Sequence, residues 1–419
     1  MPDSDGQPAW QRAALADTLE SLRAAHLLRQ RRTVAVVGAG PECLVAGAQL
    51  VNFSSNDYLG LAQHPRLREA FTEVARTHGV GSGGSHHITG HHAEHTRLEE
   101  VLAAYTHREA ALLFSTGYMA NLAISRVLVG PGARPGLSVP GTVVGDALNH
   151  ASLIDSARLS GTTFGRYAHA DATAAARLLA ESTGPALLLT DGLFSMDGDL
   201  PPLRELAAVC AAREAWLAVD DAHGLGVLGA TGRGVLEVAG LLGTPDAAPI
   251  LMGTLGKAFG AFGAFIAGRR ELVEVFRQRA RTYIFTTALP PAVAAAARMG
   301  VTLALDEPER RQHLQALVDR FRYELTGLGL AGRLLPSTSP IQAIILGSAE
   351  AALAASAALQ SRGLLVSAIR PPTVPAGSAR LRITFSAAHT EAQLDRLLEA
   401  LQAVLPSQLD TALPAGHAA

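Results

Sequence analysis

Seven short apolar runs mark the middle of the chain, and segments of alanine, leucine and arginine with helical spacing separate them. In order, the runs are ALLFS, TVVGDA, TTFGRYAH, PALLLTDGLF, AWLAVDDAH, PILMGTLG and GAFGAFIAG. Short apolar runs are typical of strands buried on both faces, and their alternation with helices is typical of parallel sheets. The pattern therefore predicts a large α/β domain over residues 65–304, with a mostly parallel central sheet covered by helices on both faces.

Different patterns flank this region. Residues 9 to 32 carry leucines at helical spacing among charged residues, which predicts an amphipathic helix packed as an N-terminal arm within residues 1–64. Beyond about residue 305, long helical patterns flank three strand-like runs, PIQAIILG, GLLVSAI and ARLRITFS. They predict a smaller α+β domain over residues 305–419, whose aperiodic tail PSQLDTALPAGHAA we expect to fray.

Composition narrows the class of partner. The chain has 419 residues, of which 48% are hydrophobic, enough to bury more than one core. A formal net charge of -2 gives no basic surface for nucleic acid or anionic membranes, and no apolar run reaches the roughly 18 residues of a membrane-spanning helix. The acidic start MPDSDGQPAW is unlike a secretory signal, and the cysteines are only Cys43 and Cys210. We therefore expect a cytoplasmic protein with small-molecule partners.

Polar residues stand at the ends of several predicted strands. They are Asn149 and His150, Asp191 and Ser195, Asp220, Asp221 and His223, and Thr254 and Lys257. In an open parallel sheet, ligands bind at the carboxyl ends of the strands. We therefore expect these side chains to converge on one crevice.

Lys257 follows the run PILM within the segment GTLGKAFG. Partial burial at a strand end would lower its pKa and free its lone pair, so that it could hold a carbonyl cofactor as a Schiff base. Thr254 would add a hydroxyl donor for a phosphate group. A solvated lysine in a glycine-rich turn is the alternative that this segment alone leaves open.

Four further segments could complete such a site. Asp220 ends the apolar run WLAV, where a buried carboxylate needs a cation, and a pyridinium nitrogen would supply one. His223 could then hydrogen-bond the ring oxygen of the same cofactor, and the flat ring of His150 could stack on it. Gly117 and Tyr118 open a predicted helix, whose free N–H groups suit a phosphate. Taken singly, each segment also fits an ordinary structural role, such as a helix cap, an ion pair with arginine or a strand-to-helix turn.

Two other kinds of site have partial signatures in the sequence. The segment GVGSGG at 79 to 84 matches the dinucleotide fingerprint, but a helical pattern precedes it where that fingerprint needs a strand, so Gly79 is predicted to end a helix. Five histidines follow closely, at positions 86, 87, 91, 92 and 95, with His91 and His95 four residues apart. No glutamate lies between those two in an HExxH arrangement, so we expect a histidine-rich loop without a metal.

Together, the motifs resemble the α-oxoamine synthases, pyridoxal-phosphate enzymes of the aspartate aminotransferase fold, or fold type I. The resemblance covers residues 51 to 401, and its motifs are NFSSNDYLGL, GVGSGGS, LNHASLIDSARLS, DGLFSMDGDLPPL, VDDAHGLGVLG, GTLGKAFG, YIFTTALPPA and IRPPTVPAGSARLRIT. The segments DDAHG and RPPTVPAGSARLR favour the branch that condenses L-alanine with pimeloyl-CoA or pimeloyl-acyl carrier protein in biotin biosynthesis. That branch forms 8-amino-7-oxononanoate, and a glycine C-acetyltransferase is the alternative within the family.

The resemblance also implies a role for individual residues. Lys257 would carry pyridoxal 5′-phosphate, Asp220 would hold the pyridinium, His223 would contact the ring oxygen and His150 would stack on the ring. Further positions around the cofactor are Gly117, Tyr118, Ser195 and Thr254. Thr286 and Thr287 match a phosphate contact from a second subunit, which implies a homodimer with interfacial active sites. Substrate contacts are implied for Arg29, Asn56, Thr373 and Arg382.

The chain departs from the family pattern in one loop. His86 and His87 stand where many relatives have arginine and tyrosine or asparagine, and Thr89 stands where serine is common. Because this loop covers the substrate side in the family, the departures bear on the preference for the acyl group. The stretch GPGARPGLSVPG at 130 to 141 is predicted to be a surface insertion.

Overall fold

The structure is a computed structural model that describes residues 9–24, 27–28, 31–133, 140–243 and 249–405. The strands in these ranges are β1 (Val34–Val36), β2 (Glu42–Val45), β3 (Ala48–Asn52), β4 (Ala110–Phe114), β5 (Thr142–Asp146), β6 (Thr163–Tyr167), β7 (Ala186–Asp191), β8 (Trp216–Asp220), β9 (Ile250–Thr254), β10 (Ala264–Gly268), β11 (Ile341–Gly347), β12 (Leu364–Leu365), β13 (Ser367–Ile369) and β14 (Ala379–Thr384). The helices are α1 (Ala9–Ala24), α2 (Pro65–His78), α3 (Ala93–Tyr105), α4 (Gly117–Leu128), α5 (Ala151–Leu159), α6 (Ala172–Ala180), α7 (Leu203–Ala212), α8 (Val235–Val238), α9 (Arg270–Arg279), α10 (Arg281–Ile284), α11 (Pro291–Asp306), α12 (Pro308–Gly327), α13 (Ala349–Ser361) and α14 (Glu391–Val404), with a 3-10 turn at Ala331–Arg333.

A seven-stranded sheet forms the centre of the molecule, in the order β4-β10-β9-β8-β7-β5-β6. The neighbours from β9 to β6 all pair in parallel, whereas β10 runs antiparallel to both β9 and β4. Each of the seven predicted apolar runs supplies one strand of this sheet. The α/β fold class with a mostly parallel central sheet is therefore confirmed.

Both faces of the central sheet are buried, which explains the continuous apolar runs. Val144 and Leu188 belong to one apolar cluster, whereas their strand neighbours Val143, Leu187 and Leu189 belong to another. Because side chains alternate between the faces of a strand, the two clusters lie on opposite sides of the sheet. The first includes side chains of α3, α7 and α11, and the second includes side chains of α4, α5 and α9.

Two smaller sheets accompany the central one. β11, β14 and β13 form an antiparallel sheet, and β1, β2 and β3 form a second one that β12 extends in parallel to β3. The run GLLVSAI, predicted as one strand, is therefore two strands in two sheets. The chain crosses between the sheets at the buried Val366, whose carbonyl accepts a hydrogen bond from Ser356 Oγ at 2.6 Å. The N-terminal and C-terminal segments thus share a sheet, and the domain limits 1–64, 65–304 and 305–419 stay a prediction.

The N-terminal helix α1 forms as predicted but ends at Ala24, and it is not packed as we expected. Trp10 is 69% exposed, Leu15 60% and Leu19 43%. An amphipathic pattern specifies an apolar face but does not specify what covers it. The prediction of a packed arm is therefore wrong for this chain alone.

The segment that resembles a dinucleotide fingerprint directly follows a helix, as the sequence pattern predicts. α2 ends at His78, and Gly79 follows with a φ of 78°, a conformation that favours glycine at a helix end. The preceding element is a helix, so the nucleotide-binding interpretation lacks its strand. Among the described residues, no helix combines the length and the apolar character needed to cross a bilayer.

Gly300 lets α11 pass directly against the loop that carries Lys257. A Cβ atom at this position would lie 2.1 Å from the carbonyl oxygen of Phe259, two residues after the lysine. Backbone on both sides leaves no flexible side chain that could move away. The close approach therefore fixes the position of the lysine loop.

We predict that Gly300→Ala lowers the free energy of unfolding by about 1–3 kcal/mol and weakens retention of a cofactor on Lys257, because the helix and loop must separate. Gly327→Ala is the matched control, since a Cβ atom there meets nothing within 4 Å in the last turn of α12. Chemical denaturation of both variants measures the difference. Equal stability of the two variants would contradict the role of Gly300.

Candidate active site

Lys257 lies in the turn after β9, at the carboxyl end of the central sheet. Its Nζ is 3.5 Å from Thr254 Oγ1, and the turn closes through a hydrogen bond from Gly260 N to the Lys257 carbonyl at 2.9 Å. Burial lowers the pKa of the amine, and the positive charge of Arg382 lowers it further, although Asp220 and Asp191 raise it. The lysine is therefore easier to deprotonate than a solvated one, as the sequence predicts.

Asp220 ends β8 and is only 7% exposed. Its carboxylate accepts hydrogen bonds from Asn121 Nδ2 at 2.7 Å and from the Ala222 N–H at 3.0 Å. Both donors are neutral, and none of the ion pairs within 4.0 Å among the described residues involves Asp220. A buried carboxylate with neutral donors only is a site for a cation.

Arg382, on β14, presents the opposite case of a buried cation with neutral acceptors. It is 6% exposed, and its guanidinium donates to the Ser195 carbonyl at 2.5 Å and to Asn56 Oδ1 at 3.3 and 3.4 Å. Arg380, two residues earlier on the same strand, has Asp197 as an ion-pair partner at 2.6 Å. The ion pairs among the described residues give Arg382 no such partner, so it is suited to binding a carboxylate.

A series of hydrogen bonds links His223, the predicted contact of the cofactor ring, to Arg382. The Tyr58 hydroxyl lies 2.7 Å from His223 Nδ1 and 3.2 Å from Asn56 Oδ1, which in turn accepts from Arg382. Burial lowers the pKa of His223 well below its usual value, and the positive charges of Lys257 and Arg382 add to this effect. His223 is therefore a neutral imidazole at physiological pH.

His150 lies at the start of α5, with its side chain exposed beside the carboxyl ends of β5 and β7. Its backbone N–H donates to Asp191 Oδ2 at 3.0 Å. Asp191 is in register with Asp220 on the neighbouring strand, and burial, followed by the charge of Asp220, raises the pKa of Asp191 well above its usual value. The fold thus makes Asp191 harder to ionise than a solvated carboxyl group.

The start of α4 lies against the same strand end. Thr116 Oγ1 caps the helix by accepting the Met119 N–H at 3.2 Å, and no bond among the described residues uses the N–H groups of Gly117 and Tyr118. A Cβ atom on Gly117 would lie 2.9 Å from Thr254 Cγ2, so glycine permits this close approach. A helix N-terminus next to a threonine hydroxyl is suited to a phosphate.

The remaining predicted residues lie apart from this group or outside the described chain. Thr286 is half-buried and Thr287 is exposed, in the loop between α10 and α11, and among the described residues no hydrogen bond or ion pair joins either threonine to Lys257 or Asp220. Thr373 lies with Ser195 and His150 on the wall of a cavity of about 780 Å³. Arg29 lies outside the described residues. The second-subunit role of the two threonines stays a prediction.

Tyr58 and Asn121 are central to this geometry, and the sequence did not single them out. Tyr58 stands inside the quoted motif NFSSNDYLGL, and Asn121 lies one helical turn after Gly117 on α4. Spacing along α4 could have indicated Asn121, because a residue one turn into the helix shares a face with the helix start. The contact between Tyr58 and His223 spans 165 positions in the chain and has no local signal.

Comparison with known proteins identifies the family. The model of the aminotransferase class I and II family matches residues 48–401. The 8-amino-7-oxononanoate synthase of Stutzerimonas stutzeri (strain A1501) is 54% identical over 401 residues, or 95% of this chain and 99% of the relative. That of Methylococcus capsulatus is 54% identical over 94% of this chain and 98% of the relative. The chain belongs to the 8-amino-7-oxononanoate synthase family.

Solved structures agree with this family assignment. A high-resolution structure of SPT with PLP has a TM-score of 0.87 and 30% identity, and covers 96% of this chain and 99% of its own. The crystal structure of 8-amino-7-oxononanoate synthase from Francisella tularensis has a TM-score of 0.72 and 29% identity, with coverage of 86% and 98%. The protein is thus a pyridoxal-phosphate-dependent acyltransferase of fold type I.

The site of this 8-amino-7-oxononanoate synthase family member fits pyridoxal phosphate on structural grounds. Asp220 is a buried carboxylate without an ion-pair partner among the described residues. A pyridinium nitrogen needs such a carboxylate beside it. Lys257 is an amine of lowered pKa on the adjacent strand end. The N-terminus of α4, next to Thr254, provides donors for the phosphate. Three separate features thus match the three functional groups of a single cofactor.

His169 forms an ion-pair bridge in the wall of the cavity. Its Nδ1 lies 2.9 Å from Oδ1 of the fully buried Asp146, and its Nε2 lies 2.7 Å from Asp199 Oδ2. Burial alone would lower the pKa of His169, but the hydrogen bonds to the two carboxylates outweigh burial and raise it to about 10. The imidazolium ties the end of β5 to the loop that carries Ser195.

We predict that His169→Ala lowers the free energy of unfolding by about 3 kcal/mol near pH 6, because it leaves the buried Asp146 charge without its cation. Since the folded-state pKa is raised, this contribution is complete below the unfolded value of about 6.5 and is lost as the pH rises through about 10. Denaturation curves of wild type and variant across this range measure the difference. A difference that stayed constant up to pH 11 would contradict a charged bridge.

Proposed function

We propose that the protein catalyses the decarboxylative condensation of L-alanine with a pimeloyl thioester in biotin biosynthesis. The products are 8-amino-7-oxononanoate, CO2 and the free thiol of coenzyme A or acyl carrier protein. The names of relatives with 54% identity over nearly the whole chain support this assignment. The observation that carries it is the pair of buried, oppositely charged groups without ionic partners, Asp220 and Arg382, whose charges both act on Lys257.

When bound, pyridoxal phosphate supplies a ring that accepts the electron pair left on the alanine Cα by proton removal, and again the pair left by loss of CO2. Asp220 would keep the ring nitrogen protonated, and His223, a neutral imidazole whose Nδ1 lies 2.7 Å from the Tyr58 hydroxyl, would contact the ring oxygen. His150 would stack on the ring face. Each of these roles is implied by the resemblance to the family and is part of the proposal.

Arg382 and Asn56 bind and orient the alanine carboxylate. The Arg382 guanidinium, held by neutral acceptors alone, gains an ionic partner when a carboxylate enters. Lys257, with its lowered pKa, then removes the Cα proton as a general base. A new bond joins Cα to the acyl carbon while the C–S bond breaks, and the Cα–carboxylate bond breaks afterwards.

The cavity of about 780 Å³ offers space for the acyl chain beside His150, Ser195 and Thr373. Its walls include the apolar side chains of Leu148, Ile154, Phe194, Met196 and Val374. Its charged wall residues are Arg166, the pair Arg380 and Asp197, and Asp199, which pairs with His169. Apolar walls with a nearby cation complement a methylene chain that ends in a carboxylate. Lys257 and Asp220 do not line this cavity, so we assign it to the acyl donor and not to the cofactor.

We also propose that the enzyme is a homodimer with interfacial active sites. Apolar side chains are exposed near the catalytic loops, among them Phe262 at 51% and Phe285 at 69%. Phe262 lies five residues after Lys257, and Phe285 directly precedes Thr286. A second copy that covers these side chains would bring Thr286 and Thr287 to the phosphate of its partner.

A contact of Arg29 with the substrate is proposed on the resemblance to the family alone.

We predict that the pyridoxal-phosphate-loaded enzyme converts L-alanine and pimeloyl-CoA or pimeloyl-acyl carrier protein into 8-amino-7-oxononanoate with release of one thiol and one CO2. Mass spectrometry of the product and a thiol assay measure the reaction. Glycine and L-serine are run in parallel, each with pimeloyl-CoA and with acetyl-CoA. Lys257→Ala is the matched control, and we expect it to remain folded without turnover, because it lacks the base.

A response to glycine and acetyl-CoA, with none to L-alanine, would move the assignment to a glycine C-acetyltransferase. Turnover by Lys257→Ala would refute the role of the lysine. The same experiment with the two pimeloyl donors decides which thiol carrier the enzyme uses.

A further inference from the structure

Three of the five clustered histidines come together in space, although they are separated in sequence. One ligand-capable nitrogen from each of His86, His91 and His95 lies within 4.8 Å of the others. The spacing of four residues between His91 and His95 is not the cause, because α3 begins only at Ala93. The fold of the loop after Gly84 brings His86 onto the other two, and no sequence spacing indicated this.

From this convergence we propose that His86, His91 and His95 form a binding site for a divalent transition metal, with Zn²⁺ as the representative ion. Imidazole nitrogen is a preferred ligand of Zn²⁺, Cu²⁺ and Ni²⁺. None of the three histidines is among the residues assigned to the condensation, and the proposal gives the metal no part in that reaction.

The contact between His86 and His91 is the centre of the site. Their Nδ1 atoms are 2.9 Å apart, so in the metal-free protein one ring must donate a proton to the other. A zinc ion with bonds of about 2.0–2.1 Å in tetrahedral geometry holds two nitrogens roughly 3.3 Å apart. For this pair, a movement of a few tenths of an ångström therefore suffices for a metal to replace the shared proton, whereas the separations of up to 4.8 Å within the cluster must close by about 1 Å or more.

The surroundings hold both rings in place. His86 is buried and stacks on Tyr283 with ring centroids 4.8 Å apart and planes 12° apart. His91 Nε2 lies 3.0 Å from Thr96 Oγ1, which fixes the ring and directs Nδ1 to the cluster. Such a partner on the second ring nitrogen is usual for histidine ligands of metals. His91 is also exposed, which gives an ion a path to the site.

His95 is buried and must exchange one bond to bind a metal. Its Nδ1 accepts the His92 N–H at 2.9 Å, so Nε2 carries the proton and donates to the Leu289 carbonyl at 2.6 Å. That carbonyl also accepts from Ser82 Oγ at 2.6 Å. If Nε2 turns to a metal, the carbonyl keeps a hydrogen bond, so the exchange leaves no buried acceptor unpaired.

The charged side chains near the three histidines do not prevent a metal ion from binding there. Arg277 is the cation that acts on His91, and its guanidinium is paired with Glu274 at 2.5 Å. Glu94, adjacent to His95, is held by Arg97 and Arg298. The three imidazoles are neutral at physiological pH, because burial lowers the pKa of His86 to about 3, that of His95 to about 4, and that of His91 below its usual value. Neutral imidazole is the form that binds metals.

We predict that the cofactor-loaded protein, stripped with chelator and dialysed against ZnCl2, retains one zinc per chain by elemental analysis. His91→Ala should weaken zinc binding in calorimetric titration at least roughly tenfold, because it removes a ligand. His86→Gln should do the same. His87→Ala is the matched control, since His87 is the exposed neighbour whose Nε2 contacts the Arg277 carbonyl, and it should bind zinc like wild type.

Circular dichroism and the visible absorbance of the cofactor confirm that each variant is folded and loaded, which separates loss of ligand from loss of structure. No stoichiometric zinc in the wild type would overturn the proposal. Zinc binding that His91→Ala and His86→Gln leave unchanged would overturn it as well, since the ion would then be held elsewhere, for example by the cofactor.

Discussion

The structure depends on a buried carboxylate to which the described part of the chain supplies no ion-pair partner. Asp220 ends a central strand, is almost fully buried and, among the described residues, receives hydrogen bonds from Asn121 and Ala222. Moving such a charge out of water costs several kcal/mol unless a cation compensates. Arg382 is the mirror case, a buried cation held by Ser195 and Asn56. In the proposed function, a cofactor ring nitrogen pairs with Asp220 and a substrate carboxylate pairs with Arg382, so that binding would compensate both buried charges.

The fold explains how both charges can persist. Asp220 and the neighbouring Asp191 follow strands buried on both faces, and Lys257 follows the next strand, so the sheet fixes their spacing. Burial and the charge of Asp220 raise the pKa of Asp191, which opposes a second negative charge beside Asp220. Arg382 belongs to a different sheet, formed by the C-terminal segment. Two separate sheets therefore hold opposite charges around the Lys257 amine. The hydrogen bonds from His223 through Tyr58 to Asn56 connect the two sheets.

Much of this arrangement could be predicted from sequence, because it depends on local patterns. Apolar runs gave all seven central strands, and residues at their ends gave Lys257, Asp220, His223 and His150. Contacts between distant segments could not be predicted in this way. The division of GLLVSAI between two sheets, the position of Tyr58 on His223 and the convergence of His86 with His91 all depend on tertiary packing. The exposed apolar side chains of α1 likewise show that an apolar face on a helix does not identify the surface against which it packs.

The central claim is that Asp220 keeps the ring nitrogen of the cofactor protonated. The direct measurement is the nitrogen NMR signal of protein reconstituted with pyridoxal phosphate labelled with ¹⁵N in the ring. The account predicts a protonated pyridinium in wild type and in Asp191→Asn, since Asp191 accepts the His150 N–H and is not the carboxylate assigned to the ring, and an unprotonated pyridine in Asp220→Asn. A pyridinium signal that persists in Asp220→Asn would contradict the account.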